Sequence, residues 1–175
     1  ARQIYEYYTD RVESFGLDEC WLDVSESTLL FGDGVKIANE IRERIKRELG
    51  VTVSIGVSYN KIFAKLGSDM KKPDAVTVIT EDNFKEKIWG LPVEALLYVG
   101  NSTKRRLNNL AVFTIGDLAN CHPEFLVKQL GKWGYTLWSF ANGYDTGSVA
   151  KNNCEMAIKS IGNSLTTPRD LINNE

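Results

Sequence analysis

The stretch VESFGLDECWLDV, from Val12 to Val24, decides the fold. Two short apolar runs, Val12 to Leu17 and Cys20 to Val24, flank the adjacent carboxylates Asp18 and Glu19. Val12, Phe15, Trp21 and Val24 supply the β-branched and aromatic content of a β-hairpin with the acidic pair at its tip. Two carboxylates this close push each other's ionisation apart unless a cation shares them. Hard oxygen donors on a tight turn suit Mg²⁺, which takes one or two protein carboxylates and fills its shell with water and phosphate oxygens. For the pair taken alone, a solvated turn is the competing reading.

Outward from the hairpin, residues 2 to 10 read as the end of a helix. Downstream, Ile37, Ile41, Ile45 and Leu49 recur every four residues, with Arg42, Glu43, Lys46 and Arg47 on the other side, which predicts a helix from Gly34 to Leu49 ended by Gly50. Val51 to Val57 reads as a buried strand. Asn60 is placed to cap a second helix running to Met70 with Ile62, Phe63 and Leu66 inward, and Pro73 stops it before a strand from Ala75 to Ile79. Strands alternating with helices in this order predict an α+β unit, a sheet with helices on one face.

Beyond Glu81 the pattern turns helical. Leu91-Pro92 opens a short helix, the turn Tyr98 to Asn101 breaks it, and Ser102 or Thr103 is placed to cap a helix through Leu110. Helices over 115–119, 123–130 and 133–142 complete a small bundle, with Gly143 as the C-terminal cap of the last. Residues 151–175 are polar and fit neither unit. The expected division is therefore 1–85, 86–150 and 151–175.

Composition narrows the class. The 175 residues are 43% hydrophobic and 25% charged, as in ordinary globular proteins, and no apolar run is long enough to cross a membrane. The amino end, with Arg2, Glu6 and Asp10, lacks a secretory pattern, so a cytoplasmic protein is expected. Cys20, Cys121 and Cys154 are odd in number and widely spaced, which predicts reduced thiols rather than a disulfide framework or a zinc site. The net charge of −2 argues against a protein coated in nucleic acid, so any DNA contact is expected to be local. His122, just before Pro123, reads as a helix start.

Two further groups bear on chemistry. Lys61 and Lys65 share a helical face and Lys72 precedes the proline stop, where a lysine near the acidic hairpin can hold a triphosphate as a point charge; a solvated basic face is the alternative. In the helical hairpin of residues 91–110, Lys104, Arg105 and Arg106 follow the turn. Gly100, Asn101, Thr103 and Lys104 there are candidates for a phosphate clamp built from helix N-terminal amides, against an ordinary helical hairpin.

These residues resemble the Y-family translesion DNA polymerases of the UmuC/DinB (ImpB/MucB/SamB) type. Gly16 to Val24 is similar to the family's S-I-D-E-x-x-L-D-V palm motif, with glycine in place of its serine. Ser58, Asn60, Lys61, Ala64, Lys65, Ser68, Asp69, Lys72 and Pro73 match its S-x-N-K-x-x-A-K-x-x-S-D-x-x-K-P stretch. Val99-Gly100 with Leu107 and Thr114 to Leu118 look like the thumb's helix-hairpin-helix, though Tyr98 stands where its first glycine is usual. Leu137 to Gly143 is similar to the thumb's closing helix, and Lys159 to Gly162 to the strand entering the little-finger domain.

The resemblance implies a partial palm followed by a helix-hairpin-helix thumb and the start of a little finger. It implies that Asp18 bridges two catalytic Mg²⁺ ions, that Glu19 holds the ion activating the primer 3′-hydroxyl, and that Lys72 contacts the incoming triphosphate. Lys65 is implied as a primer-strand or structural contact. The expected partners are primer-template DNA and dNTP, with a sliding clamp engaged only through absent segments, and no membrane. The family's N-terminal strand, with another aspartate and an aromatic gate, has no counterpart before Ala1, nor has the fingers domain. The chain is thus expected to be a palm-thumb piece without polymerase activity of its own, whose open sheet edge invites dimerisation. Two other readings stay open: a palm-like nucleotide cyclase of the diguanylate type, and a non-catalytic DNA-binding module.

Overall fold

Helix and strand assignments follow from where the backbone can find partners. The computed structural model describes residues 1–151 and 162–165; the expectations for Cys154 and for a little-finger strand at Lys159 to Gly162 fall mainly outside them. Helix α1 (Arg2–Tyr8) leads into strands β1 (Val12–Phe15) and β2 (Glu19–Leu22), which pair antiparallel from Val12 with Leu22 to Phe15 with Glu19. The turn between them is Gly16-Leu17-Asp18, and Gly16 takes a φ of 73°, a left-handed conformation that glycine enters without a Cβ clash. The short α2 (Thr28–Phe31) and the long α3 (Gly34–Leu49) follow.

Asp33 caps α3 by accepting from Lys36 N, and Gly50 closes it at φ 70°. Ile37, Ile41 and Ile45 are buried against Ile4 and Tyr8 of α1, forming one core with Leu22, Val24, Phe31, Val53 and Ile55 at its margin. Leu49, expected on the same face, is instead 47% exposed. A four-residue spacing overshoots the helical turn by about 40° per step, so three steps carry residue 49 well off the buried face.

Strand β3 (Ile55–Ser58), helix α4 (Lys61–Met70) and strand β4 (Val76–Ile79) make a βαβ unit in which β3 and β4 pair in parallel. Asn60 caps α4 as expected, accepting from Phe63 N at 2.8 Å, and its amide also donates to Gly143 O at 3.0 Å. The strand expected over 51–57 is corrected: it spans only Ile55–Ser58, and its residues are half-buried. Ladder bonds define a strand, and only from Ile55 onward does β4 supply them. Consequently the four strands form two two-stranded ladders among the described residues, rather than one sheet.

Helix α5 (Phe84–Ile88), to which the sequence pattern assigns no bounds, leads to a 3₁₀ turn at Val93–Ala95 where a short helix opened by Leu91-Pro92 is expected. Then come α6 (Asn101–Asn109), α7 (Ile115–Asn120), α8 (Pro123–Leu130) and α9 (Lys132–Ala141). His122 is the N-cap residue of α8, and Gly143 follows α9 with a φ of 82°. The cap expected from Ser102 or Thr103 is corrected to Gly100, because the helix begins two or three residues earlier and has no side-chain cap. A second core joins Ile62, Phe63, Leu66 and Ile79 to Ile88, Val93, Leu107, Ile115, Leu118, Leu126 and Leu137, so α4 and the helical bundle are packed as one body.

Thr114 and Asp117 form a capping box at α7, the Thr114 hydroxyl accepting from Asp117 N and the carboxylate from Thr114 N and Phe113 N at 2.9 and 3.0 Å. Those backbone bonds, Thr114 first, hold the Asp117 carboxyl below the usual range. A carboxyl depressed on folding stabilises the protein above its unfolded pKa of about 3.9, and that contribution disappears as pH falls through the lower folded value. Asp117→Asn is therefore expected to flatten the acid limb of stability below about pH 4. Denaturant midpoints of both proteins from about pH 2.5 to about pH 7 check it.

Candidate active site

The two ladders border one cleft of about 450 Å³. Consecutive residues of β2 (Glu19, Cys20, Trp21 and Leu22) and of 52–58 line it, whereas β4 contributes none. When neighbours on a strand line a space irrespective of which face they point to, the strand meets that space edge-on. The inner edges of β2 and β3 thus look into the cleft with no strand between them among the described residues, an arrangement that leaves main-chain donors and acceptors available for pairing.

Asp18 and Glu19 both line this cleft, Asp18 from the exposed turn and Glu19 from the first position of β2. Lys65 and Lys72 line it from the α4 side. Helix α4 reaches the hairpin because its first turn docks there: Trp21 Nε1 donates to Lys61 O at 3.0 Å, and the Lys61 ammonium stands 4.7 Å from the Trp21 ring centre. One turn further on, Lys65 Nζ bonds Glu19 Oε1 at 2.9 Å and Asp69 Oδ2 at 2.6 Å. Lys72 Nζ takes the other oxygen of Asp69 at 2.7 Å. The charges therefore alternate as Glu19, Lys65, Asp69, Lys72.

Burial pushes Asp69 up, but the bonds from Lys65 and Lys72 outweigh it and hold its carboxyl below the usual value. Burial pulls Lys65 down, and the same partners, Asp69 and Glu19, more than compensate. Cys20, also in the cleft, is pushed up to about 11 by burial and stays a neutral thiol. The donors facing a cation are thus carboxylate oxygens, the set that suits Mg²⁺. Two carboxylates from protein fit that ion provided water or phosphate supplies the rest. Among the described residues no group of three or more histidine, cysteine, aspartate or glutamate side chains gathers to hold a metal.

Asp69 is the residue that sequence reasoning left without a role. Its i,i+4 spacing from Lys65 carried the signal, since that separation brings helical side chains together, while Lys72, two residues past the end of α4, reaches back to it. Glu13 is likewise tied to Lys61 at 2.7 and 2.9 Å and to Ala150 N at 2.9 Å. The segment after α9 therefore returns across the hairpin.

Gly100, Asn101, Thr103 and Lys104 do not border the cleft. They form the first turn of α6, and Lys104 Nζ is engaged by Glu94 at 2.6 Å. Arg106 donates to Gln129 O, which leaves Arg105 the basic residue of the trio with no side-chain hydrogen bond or ion pair among the described residues. Tyr98 holds a φ of 71° and stacks edge-on against Trp133, with 5.7 Å between ring centres. A bulky residue in the left-handed region is strained, so packing on Trp133 and Phe140 must hold it there.

The impB/mucB/samB family profile matches residues 1–69. The chain is 90% identical to DNA polymerase IV of Acetivibrio thermocellus over 175 residues, all of this chain and 44% of that protein. The chain is a relative of DNA polymerase IV, and its first 69 residues match the impB/mucB/samB family. Another relative, DNA polymerase IV of Clostridium perfringens, is 44% identical over 168 residues, 96% of this chain and 46% of its own length. Of solved structures, DinB from Sulfolobus solfataricus superimposes with a TM-score of 0.73 at 27% identity, covering 86% of this chain and 46% of that one. An insertion ternary complex of Dbh DNA polymerase gives 0.75 at 26% identity, with 85% and 44% covered. The chain spans under half the length of these relatives. The expected α+β fold is borne out as the Y-family palm with the helical region that follows it. No helix among the described residues is long and apolar enough to cross a membrane.

Proposed function

We propose that this chain forms the catalytic palm and the thumb of a DNA-directed DNA polymerase of the translesion type, which adds dNTPs to a primer 3′ end. The observation that carries the proposal is the cleft in which Asp18 and Glu19 face Lys65 and Lys72. Asp18 and Glu19 would hold divalent cations, which supply charge neutralisation to the attacking and leaving oxygens of an in-line displacement. Lys72, whose flexible stem ends 56% exposed beside Asp69, would bind the triphosphate as a point charge. Catalysis by such a site is positioning and electrostatics, so rigid placement of the hairpin on α4 is what the fold contributes.

Residues 1–85 would form the palm, 86–150 the thumb and 151–175 the entry to a little finger. The first turn of α6, with Gly100, Asn101, Thr103 and Lys104, would meet backbone phosphates of primer-template DNA, a contact that weakens with salt and carries no sequence information. Lys104 would have to exchange Glu94 for phosphate.

Primer extension by the intact protein tests the proposal against the cyclase reading. Primed template with dNTPs and Mg²⁺ is expected to give elongated primer, and GTP alone no cyclic product; the reverse pattern would sink it. Residues 1–175 on their own are expected to extend no primer, because the described cleft offers two carboxylates and an open space between two strand edges. Template-dependent elongation by that piece alone would refute this.

A further inference from the structure

Two lysines one turn apart on α4 pair with two glutamates of the hairpin, and the pairs are built differently. Lys61 bonds both oxygens of Glu13, at 2.7 and 2.9 Å, and also reaches Ser148 O at 3.3 Å, while Ala150 N closes on the same carboxylate. That pair is locked from several sides. Lys65 engages Oε1 of Glu19, at 2.9 Å, and its second strong bond goes to Asp69 on its own helix. The Lys65 side chain is 15% exposed, so its ammonium is held between the two carboxylates rather than dispersed in water.

From this difference we infer that Lys65 is the resident counter-ion of Glu19 in the metal-free protein, and that Asp69 receives it when a divalent cation takes Glu19. The inference rests on the reading of Asp18 and Glu19 as metal ligands. Without a cation, two neighbouring carboxylates at a cleft mouth repel each other, and the Lys65 ammonium offsets part of that repulsion. A divalent ion at Glu19 and the Lys65 ammonium would then repel at close range in a partly dry site. Asp69 sits one helical turn from Lys65 and already shares its ammonium, so the transfer needs only rotation about the side-chain stem of Lys65. Asp69 also anchors Lys72, which places the whole exchange beside the proposed triphosphate lysine. Lys65 is in this sense a positioning residue that sets how readily the carboxylates accept metal.

Manganese titration of the intact protein without DNA or nucleotide, with free Mn²⁺ read by electron paramagnetic resonance, tests it. Lys65→Met is expected to tighten Mn²⁺ binding by roughly three- to tenfold, and Asp69→Asn, which leaves Lys65 to Glu19 alone, to weaken it by a similar factor. Lys65→Gln serves as a second variant should the methionine protein not fold, with circular dichroism and thermal midpoints as the check. Lys61→Met removes an equal charge from the locked pair and is expected to leave the affinity within about twofold. Unchanged or weaker binding by both Lys65 variants overturns the inference, as does equal tightening by Lys61→Met, which would signal a general charge effect. Glu19→Gln separates the two levels. If it binds Mn²⁺ as the wild type does, the carboxylate reading itself falls and the inference with it; if it loses binding while Lys65→Met has no effect, the inference alone fails.

Discussion

In the intact protein, Asp18→Asn is expected to slow nucleotide addition by roughly a thousandfold or more while leaving stability within about 0.5 kcal/mol. Asp18 lies in the turn after Gly16, outside both strands, and is exposed to the cleft. It makes no hydrogen bond or ion pair with another described residue, so the fold gains nothing from its charge. Asparagine keeps the shape and one oxygen but removes the negative charge a divalent ion requires. Single-turnover primer extension gives the rate, and a denaturant melt gives the stability. A variant that extends primers at the wild-type rate would leave the acidic pair as a solvated turn.

Gly56→Ala is expected to destabilise the chain by about 3 kcal/mol or more, the largest structural effect foreseen here. A Cβ on Gly56 would run into the Ala64 carbonyl oxygen and stand 2.7 Å from Ser68 N, both backbone atoms of α4 that have no side-chain freedom to retreat. Gly67 on the helix faces the same contact: its own Cβ would lie 3.2 Å from Gly56 Cα. Two glycines thus let α4 lie directly on β3, and that approach sets how far Lys65 reaches toward Glu19. Separation of helix and strand should therefore lower metal affinity along with stability. Gly90→Ala, where an added methyl meets open space, serves as the control and is expected to shift the melting midpoint little. Equal stability of the two variants would contradict the close packing.

Much of this was legible in the residues because local chemistry decided it. Asn60 before an apolar helix and Gly50 after one each satisfy backbone groups that a helix end leaves open, and both sit as their chemistry demands. Helices 34–49 and 123–130 emerge at the residues their periodicity and punctuation marked. Long-range pairing was not legible. Val51 to Ser54 has strand-like side chains, yet strands are completed by neighbours, and β4 reaches only Ile55–Ser58. Nor could spacing reveal that one core would join α4 to the bundle, because Phe63 and Leu137 enter the same cluster only through the tertiary fold.

At the candidate site, the hairpin and the two lysines were marked by charge set against apolar surroundings, and the structure brings Asp18, Glu19, Lys65 and Lys72 to one cleft. Asp69 escaped notice because a carboxylate among lysines on a helix reads as an exposed ion pair, which is worth little by itself. Its weight comes from sharing two lysines at the cleft. In the helical region after Glu81, the bases after the turn looked available for phosphate, whereas Lys104 and Arg106 are occupied by Glu94 and Gln129. Sequence counts charges and leaves their pairing to the fold.

The most direct measurement is crystallographic: the intact protein with primer-template, an incoming dNTP and Mn²⁺, with manganese located by its anomalous scattering. Manganese coordinated by the Asp18 and Glu19 carboxylates, with Lys72 turned from Asp69 to the triphosphate, is the expected result. Manganese bound away from both carboxylates, with Glu19 still paired to Lys65, would contradict it.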